Sequence, residues 1–388
     1  MKLSCLQENL NRGLGIVGRA VATRPTLPIT NNVLLATDQS RLKLVATNLE
    51  MAISHWIGAK VEEEGAITIP ARLLMEFISS LPSEKFGKKG EKIPEVVDIS
   101  LSPQTKTLGL RCARFEARIS GIDAKDFPPI PKVDGGITTK VDVKELRRGI
   151  SQVVFAAATE ESRPVLTGVD AQFDGDLLTL AAADGFRLAV YKLSIATKVK
   201  QKTEIIIPAR TMAELNRLMA DQEEAIEITV NPNKGQALLR LKGTELVSQL
   251  VQGTFPNYAQ LIPQSFKTRA VVGVSDFLRA TKTAAIFARD GSGIVRLIVA
   301  PGSEAMPGKM TISARSEELG EDVGEIDAIV EGEEAKIAFN GKYLTEVLSE
   351  LREAQVALET TSPSSPGVLR PVGVDNYVHV IMPMFVQW

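Results

Sequence analysis

The residues of this chain that most resemble a chemical site are three glycines. In "NRGLGIVGRAV", residues 11–21, Gly13, Gly15 and Gly18 have the G-x-G-x-x-G spacing with which some proteins seat a dinucleotide pyrophosphate on a helix N-terminus. Asp38 lies 20 residues beyond Gly18, where an acid for the ribose would stand. Such a site needs a buried strand running into the first glycine and a helix that starts at the last. Here the glycines interrupt one helical pattern that begins before them and continues past them, and "LPITNNVLLATDQSRL" reads as an ordinary strand and turn. The nucleotide reading fails for want of its strand. Gly15 and Gly18 fall instead toward the polar side of that helix, where a missing side chain admits another backbone or a phosphate.

Other chemistry finds even less support. Two cysteines, Cys5 and Cys112, and two histidines, His55 and His379, cannot assemble a His/Cys metal cluster within one chain. "GSEAMPGKM" lacks the spacing and the Ser or Thr of a phosphate loop, and no H-E-x-x-H occurs. The expectation is therefore a protein with no catalytic site, metal or cofactor. With 388 residues, 44% hydrophobic and 24% charged, the chain has the composition of a globular protein of two to four domains. No apolar run reaches the roughly 18 residues of a membrane span, and "MKLSCLQENLNRG" lacks the apolar core of a signal peptide, so a cytoplasmic location is expected.

The organisation of the chain is threefold. "AITIPARLLMEFISSLP" from Ala66, "EIIIPARTMAELNRLMA" from Glu204 and "KIAFNGKYLTEVLSELR" from Lys336 share one pattern, a β-prone run entering a helix whose first turn holds Arg72, Arg210 or Lys342. A helix also opens each third: "LQENLNRGLGIVGRAVA", "DVKELRRGISQVVFAAA" and "SDFLRATKTAAIFAR", with Asp142 and Ser275 placed to cap the last two. Apolar stripes run along Leu6, Leu10, Leu14, Val17 and Val21 in the first, Val143, Leu146, Ile150 and Val153 in the second, and Phe277, Ala284 and Ala288 in the third. "DFPPIPKVDGG" and "GTFPNYAQLIPQ" mark boundaries, giving domains 1–130, 131–262 and 263–388. The insert "SEKFGKKGEK" has no copy in the other thirds and reads as a solvated loop.

Charge separates along the same lines. The six repeated helices and their flanks carry 14 Lys plus Arg against 8 Asp plus Glu, a net of +6 in a chain of −2, so the remainder carries −8. An excess of one sign that recurs in every third points to a shared basic surface facing a polyanion.

Three similar domains with basic helices, together with "RPTLPIT", "ADGFRLAVYKL", "GTFPNYAQLIP" and "YVHVIMPM", resemble the bacterial DNA polymerase III β subunit family, the sliding clamps, along the whole chain in order. The resemblance implies an α+β fold of three clamp-type domains in a head-to-tail homodimer. The helices then line a hole for duplex DNA, antiparallel sheets lie outside, and the ring confers processivity on the replicative polymerase. It implies sequence-independent DNA contacts from Arg24, Arg72 and Arg210 and, by their place on the lining helices, Arg12, Arg19, Lys144, Arg148, Arg217, Arg279, Lys282 and Lys342. In the loop "TEESRPVL" only Arg163 is suited to DNA, beside Glu160 and Glu161.

It also implies a pocket for short Gln-Leu-x-Leu-Phe-like segments of the polymerase, the clamp loader and repair proteins. The matching residues are Leu166, Gly185, Phe186, Arg187, Leu188, Pro256, Gln260, Leu261, Val380, Ile381, Met382, Pro383 and Met384. Phe186 stands where the family commonly has histidine, Gln260 where arginine is frequent, and a "FVQW" tail follows Met384, with Trp388 expected at the pocket rim. For ring closure, Ala117 and Ile119 are expected to face Ile286 and Phe287. A nucleotide-dependent enzyme, separable by NAD or ATP binding, and a threefold scaffold that binds proteins but no DNA are the rival readings.

Overall fold

The computed structural model describes residues 1–23, 26–86, 91–160, 162–288, 293–303, 307–318 and 320–388. Its helices are α1 (Gln7–Val17), α2 (Ala71–Ser80), α3 (Val143–Val154), α4 (Ala209–Leu218), α5 (Val274–Ala288) and α6 (Gly341–Glu350). They fall where the repeat places them, and each of α2, α4 and α6 is entered directly from a strand.

Local differences from the expected helices have physical causes. Leu6 belongs to the strand Lys2–Leu6 and is exposed, so the stripe of α1 is Leu10, Leu14 and Val17 with Gln7, whose amide donates to the Ile78 carbonyl at 2.7 Å. Gly18 ends the α-helix in a short 3-10 turn, which leaves Val21 outside it. The stripe of α3 is buried throughout, and Phe277, Ala284 and Ala288 bury one face of α5. Ser275 lies inside the first turn of α5, since the helix starts one residue earlier at Val274. Asn340 caps α6, its Oδ1 accepting from the Lys342 and Tyr343 amides at 2.9 and 3.4 Å.

The chain divides into two compact units, Met1–Val143 with Glu214–Leu250, and Lys144–Ala213 with Val251–Trp388. In the first, a five-stranded antiparallel sheet runs in the order Phe115–Ser120, Thr107–Cys112, Val96–Ser102, Lys2–Leu6, Lys60–Glu63. A second sheet joins the strands of the first third to four from the central third, where Met51–Gly58 pairs with Thr244–Gln249. In the second unit Arg187–Tyr191 pairs with Tyr377–Ile381, so the other strands of the central third continue into those of the last. The central repeat thus shares hydrogen-bonded sheets with each neighbour instead of standing alone. The insert is no plain loop: Glu84–Phe86 and Lys92–Pro94 pair as a hairpin, with Phe86 exposed and residues 87–90 outside the described set.

The three glycines of the opening motif separate by environment. A Cβ on Gly13 would lie 2.9 Å from Leu44 Cδ1 and 3.1 Å from His55 Cδ2, whereas one on Gly15 meets nothing within 4 Å and one on Gly18 only the flexible end of Met75. Gly15→Ala is therefore expected to stabilise the protein by about 0.5–1 kcal/mol, the helix propensity difference, while Gly13→Ala destabilises it by about 1–3 kcal/mol through overpacking. Urea midpoints that move in the same direction for both variants would refute this assignment of the packed face.

Candidate functional site

Every helix exposes at least one of the expected cations. Arg12, Arg72, Lys144, Arg210, Arg217, Arg279, Lys282 and Lys342 are exposed, and Arg19 sits just past α1. Several are held by nearby acids. Arg72 pairs with Glu76 at 2.9 Å and Arg279 with Asp276 at 2.7 Å, while Lys342 lies 3.9 Å from Glu346. Glu214 serves both Arg19 at 3.4 Å and Arg217 at 2.6 Å. Exposed pairs of this kind are worth about 0–1 kcal/mol, so a phosphate competes with the carboxylate at little cost. Arg210 and Lys282 have no acidic partner among the described residues. Arg24 lies outside the described residues, as does Glu161.

Three of these cations converge. Arg12, Arg19 and Arg217, with Lys242, line a groove of about 610 Å³ that also contains Gly15 and has His55 and Ile57 in its wall. Strand Met51–Gly58 supplies His55, whose Nδ1 lies 2.8 Å from the Thr244 hydroxyl. Burial and the Arg12 charge hold this imidazole below its ordinary pKa, which keeps it neutral beside the cations. Gly15 lines the groove with open space where a Cβ would stand.

Two predicted cations serve elsewhere. Arg148 is half-buried against Glu353 and is tied to that carboxylate. Arg163 extends over the turn at Gly185, its Nη1 3.1 Å from where a Cβ on that glycine would stand. Its charge thus sits beside the residues predicted for the peptide pocket.

Those pocket residues do assemble. Leu188 and Val380 face each other across the Arg187–Tyr191 and Tyr377–Ile381 strands and join Ala181, Val190, Val368 and Val378 in one apolar cluster. Leu166, Ile206 and Phe255 form a second, and Ala183 and Tyr258 pack against both. Around them Phe186, Leu261 and Met382 are exposed, 58%, 56% and 45% respectively. Pro256, Gln260 and Gly185 are also exposed, and Pro383 and Met384 half-buried. The Met382 amide donates to the Phe186 carbonyl at 2.8 Å and the Met384 amide to the Ala338 carbonyl at 2.7 Å, fixing the C-terminal segment beside the turn. Trp388 is half-exposed.

Strand alternation removes Arg187 and Ile381 from the lining. They oppose each other in register one step from Leu188 and Val380, so they point to the other face, where both are buried. There Arg187 Nε donates to Asp184 Oδ2 at 3.0 Å, its Nη1 to Glu346, and its guanidinium lies over Tyr343 at 4.3 Å and Phe155 at 5.4 Å. Phe155 stacks in turn on fully buried His379, whose pKa burial pushes down to about 3, with the Arg187 charge adding to the shift. This stack lies behind the residues predicted for the pocket.

At the predicted interface Ile286 is 54% exposed and Phe287 half-buried, but Ile119 is 5% exposed and packs into its own core. Along the edge strand Phe115–Ser120 the side chains of Phe115, Ala117 and Ile119 share one face, and exposure rises from Ile119 through half-buried Ala117 to Phe115, at 53%, where the strand begins. Sequence reasoning missed Phe115, although an aromatic beginning a terminal strand was the available signal. It also missed the acidic strand Gly320–Gly332: residues 320–328 pair with Gly308–Ser316 on one side, and among the described residues none pairs with 320–327 on the other.

Three copies of one domain, each with two helices bearing outward cations and antiparallel sheets beneath, define a clamp-type repeat protein. Models of the N-terminal, central and C-terminal domains of the DNA polymerase III beta subunit match residues 1–131, 140–257 and 259–385. The beta sliding clamp of Synechococcus elongatus is 31% identical over 387 residues, 99% of each chain, and that of Bacillus subtilis 28% over 394 residues, again 99% of each. The crystal structure of the Bacillus subtilis clamp superposes with a TM-score of 0.91 at 27% identity over 100% of both chains, and that of the Pseudomonas aeruginosa beta subunit with 0.90 at 27% over 100% of both. The chain belongs to the DNA polymerase III beta subunit family, the DNA sliding clamps, which are non-catalytic processivity subunits of that polymerase. No helix among the described residues is long and apolar enough to cross a membrane.

Proposed function

We propose that two copies of this chain, each with domains 1–130, 131–262 and 263–388, close head to tail into a ring around duplex DNA. The helix cations, Arg12, Arg19, Arg24, Arg72, Lys144, Arg210, Arg217, Arg279, Lys282 and Lys342, then face the phosphates. The observation that carries this reading is that all six helices expose a cation while residues 320–327, unpaired along one edge among the described residues, carry Glu321, Asp322, Glu325 and Asp327. Phosphate contacts of that kind position DNA without reading it, which suits a ring that moves with the polymerase.

The free edges complement each other. Phe115–Ser120 offers unpaired backbone with Arg118 on it and Arg114 at its start, and residues 320–327 offer unpaired backbone with acids. A heterologous contact of this type closes after two copies, with Phe115 and Ala117 meeting Ile286 and Phe287. The apolar clusters at Leu188, Val380 and Leu166, rimmed by Phe186, Leu261, Met382 and Arg163, form the pocket for Gln-Leu-x-Leu-Phe-like segments of the polymerase and clamp loader. Two or three buried apolar anchors, each contributing about 1.5–3 kcal/mol, suffice for micromolar binding. The protein acts in the bacterial cytoplasm, on the nucleoid during replication.

The test is topological. Protein placed by its cell's clamp loader on nicked circular DNA should stay bound through gel filtration at salt that strips ordinary contacts, and should be lost when the circle is linearised. Equal retention on circle and line would refute encirclement. Glutamates at Arg12, Arg19 and Arg217 together should lower loading while leaving peptide affinity intact.

A further inference from the structure

One buried acid in the second unit has no part in the reading so far. Asp170, on the strand Gly168–Ala183, is fully buried at 0% exposure. Its Oδ2 accepts from the Gln172 amide at 2.8 Å, and its Oδ1 has no hydrogen-bond partner among the described residues. A carboxylate so placed costs free energy that a neutral carboxyl does not.

Its neighbours make that cost functional. Asp170 pairs in register with Ile206, hence on the same face of the sheet, and Ile206 clusters with Leu166 and Phe255, with Val251 and Tyr258 packed against them. The Val251 amide donates to the Ile206 carbonyl at 2.8 Å, pinning the start of the segment that continues through Phe255 and Pro256 to Leu261. That segment is one wall of the apolar pocket. Tyr258, in its middle, feels the Asp170 charge directly, and with Gln172 it lines a cavity of about 410 Å³ beside the wall.

We propose that Asp170 is a pH-responsive latch under the pocket wall: with its carboxyl neutral, residues 251–261 pack closed over it and the pocket takes peptide, and with it ionised the wall loosens. This rests on the peptide-pocket reading above. The charged groups that bear on Asp170 are Glu204, across from Gln172, which opposes ionisation, and Lys202, which favours it; residues 250–266 include no charged side chain. Burial dominates and raises the carboxyl to about 7. A carboxyl released to water titrates near its ordinary value of about 4. Support for the closed wall is therefore complete below about pH 4, declines as pH rises, and is exhausted once pH passes the closed-state value.

The test is anisotropy of dye-labelled, end-blocked Gln-Leu-Ser-Leu-Phe, which has no titratable group, with wild type and Asp170→Asn at pH 6 and pH 8. Alongside it, hydrogen exchange of residues 251–261 is measured at both pH values and corrected for intrinsic rates. Wild type should bind up to about tenfold more weakly at pH 8 and lose protection in that segment, and Asp170→Asn should show neither change. Wild-type affinity and protection that do not vary with pH, or a dependence that persists in Asp170→Asn, overturn the latch. If the peptide binds at neither pH, the pocket reading fails and exchange alone decides: equal protection at the two pH values overturns the latch, and loss at pH 8 in wild type alone sustains it.

Discussion

Replacing Phe115 with glutamate is expected to leave a folded monomer of 42.0 kDa where the wild type should sediment as a dimer. Phe115 is 53% exposed in the single chain, on the edge strand of a sheet whose outer side pairs with nothing among the described residues, so the side chain contributes little to its own fold. In the proposed ring it would gain an apolar neighbour. Burying it against Ile286 and Phe287 contributes about 1.5–3 kcal/mol, and an unpaired carboxylate in its place adds a desolvation penalty of similar size or larger. About 4 kcal/mol per interface is on the order of a thousandfold in affinity, and a ring with two identical interfaces suffers the loss twice.

Ile286→Glu should behave alike, because Ile286 is 54% exposed on the other side of the proposed contact. Ile119→Glu should instead unfold the first unit, since that side chain is buried in its own core. Analytical ultracentrifugation with far-UV circular dichroism separates these outcomes. Unchanged mass for Phe115→Glu and Ile286→Glu would remove this face from ring closure. The acidic strand makes a further demand: if the edge bearing Arg114 and Arg118 docks on the acidic residues 320–327 as proposed, dimer affinity should fall as salt screens the exposed charges.

The contrast between Phe115 and Ile119 shows what a sequence conveys. Apolar periodicity fixed the buried faces of α3 and α5, because a helix that must bury a stripe writes it at a spacing no other element shares. The threefold repeat was legible for the same reason, each copy spelling strand, turn and helix in order. Whether a strand residue faces its own core or a neighbour depends on register, and a shift of one residue exchanges the two faces. That is why Arg187 and Ile381 were assigned to a surface from which alternation turns them away, whereas Ile119 shares the face of Phe115 and Ala117 and is covered because it lies farther along the strand. Arg163 comes to lie beside Gly185 for a different reason: a long side chain on a loop reaches in a direction its sequence neighbours do not dictate. Gly15 lay open as its polar-side position required, whereas the close packing of Gly13 on Leu44 and His55 depends on tertiary contacts.

Arg187→Ala should give the largest loss of any single change in the second unit, abolishing measurable peptide binding and lowering stability by about 3–5 kcal/mol, the range for removing one partner of a buried ion pair. The side chain is 7% exposed and engages acids on two elements, Asp184 in its own turn and Glu346 on α6. Asp184 Oδ1 also accepts from the Phe186 and Arg187 amides at 2.8 and 3.0 Å, so the carboxylate that Arg187 neutralises is the one that shapes the turn bearing Phe186. Gly185 completes that turn with φ of +94°, a conformation other residues rarely adopt. Without the guanidinium, Asp184 loses its counter-charge, Glu346 loses the nearer of its two, and the space between Phe155 and Tyr343 empties. Lys342, 3.9 Å from Glu346, offers that acid a substitute partner, whereas Asp184 keeps only Tyr343 and the amides of its own turn. Arg187→Lys should recover charge without the planar fork that reaches Asp184, Glu346 and the Phe155 carbonyl together, and so regain only a minor part of both losses. Urea denaturation at pH 6 and peptide anisotropy on the same samples provide the check. Wild-type peptide affinity in Arg187→Ala would show that the turn holds its shape without support from behind. Loss of affinity at wild-type stability would instead place Arg187 in contact with the peptide, against the register that opposes it to Ile381.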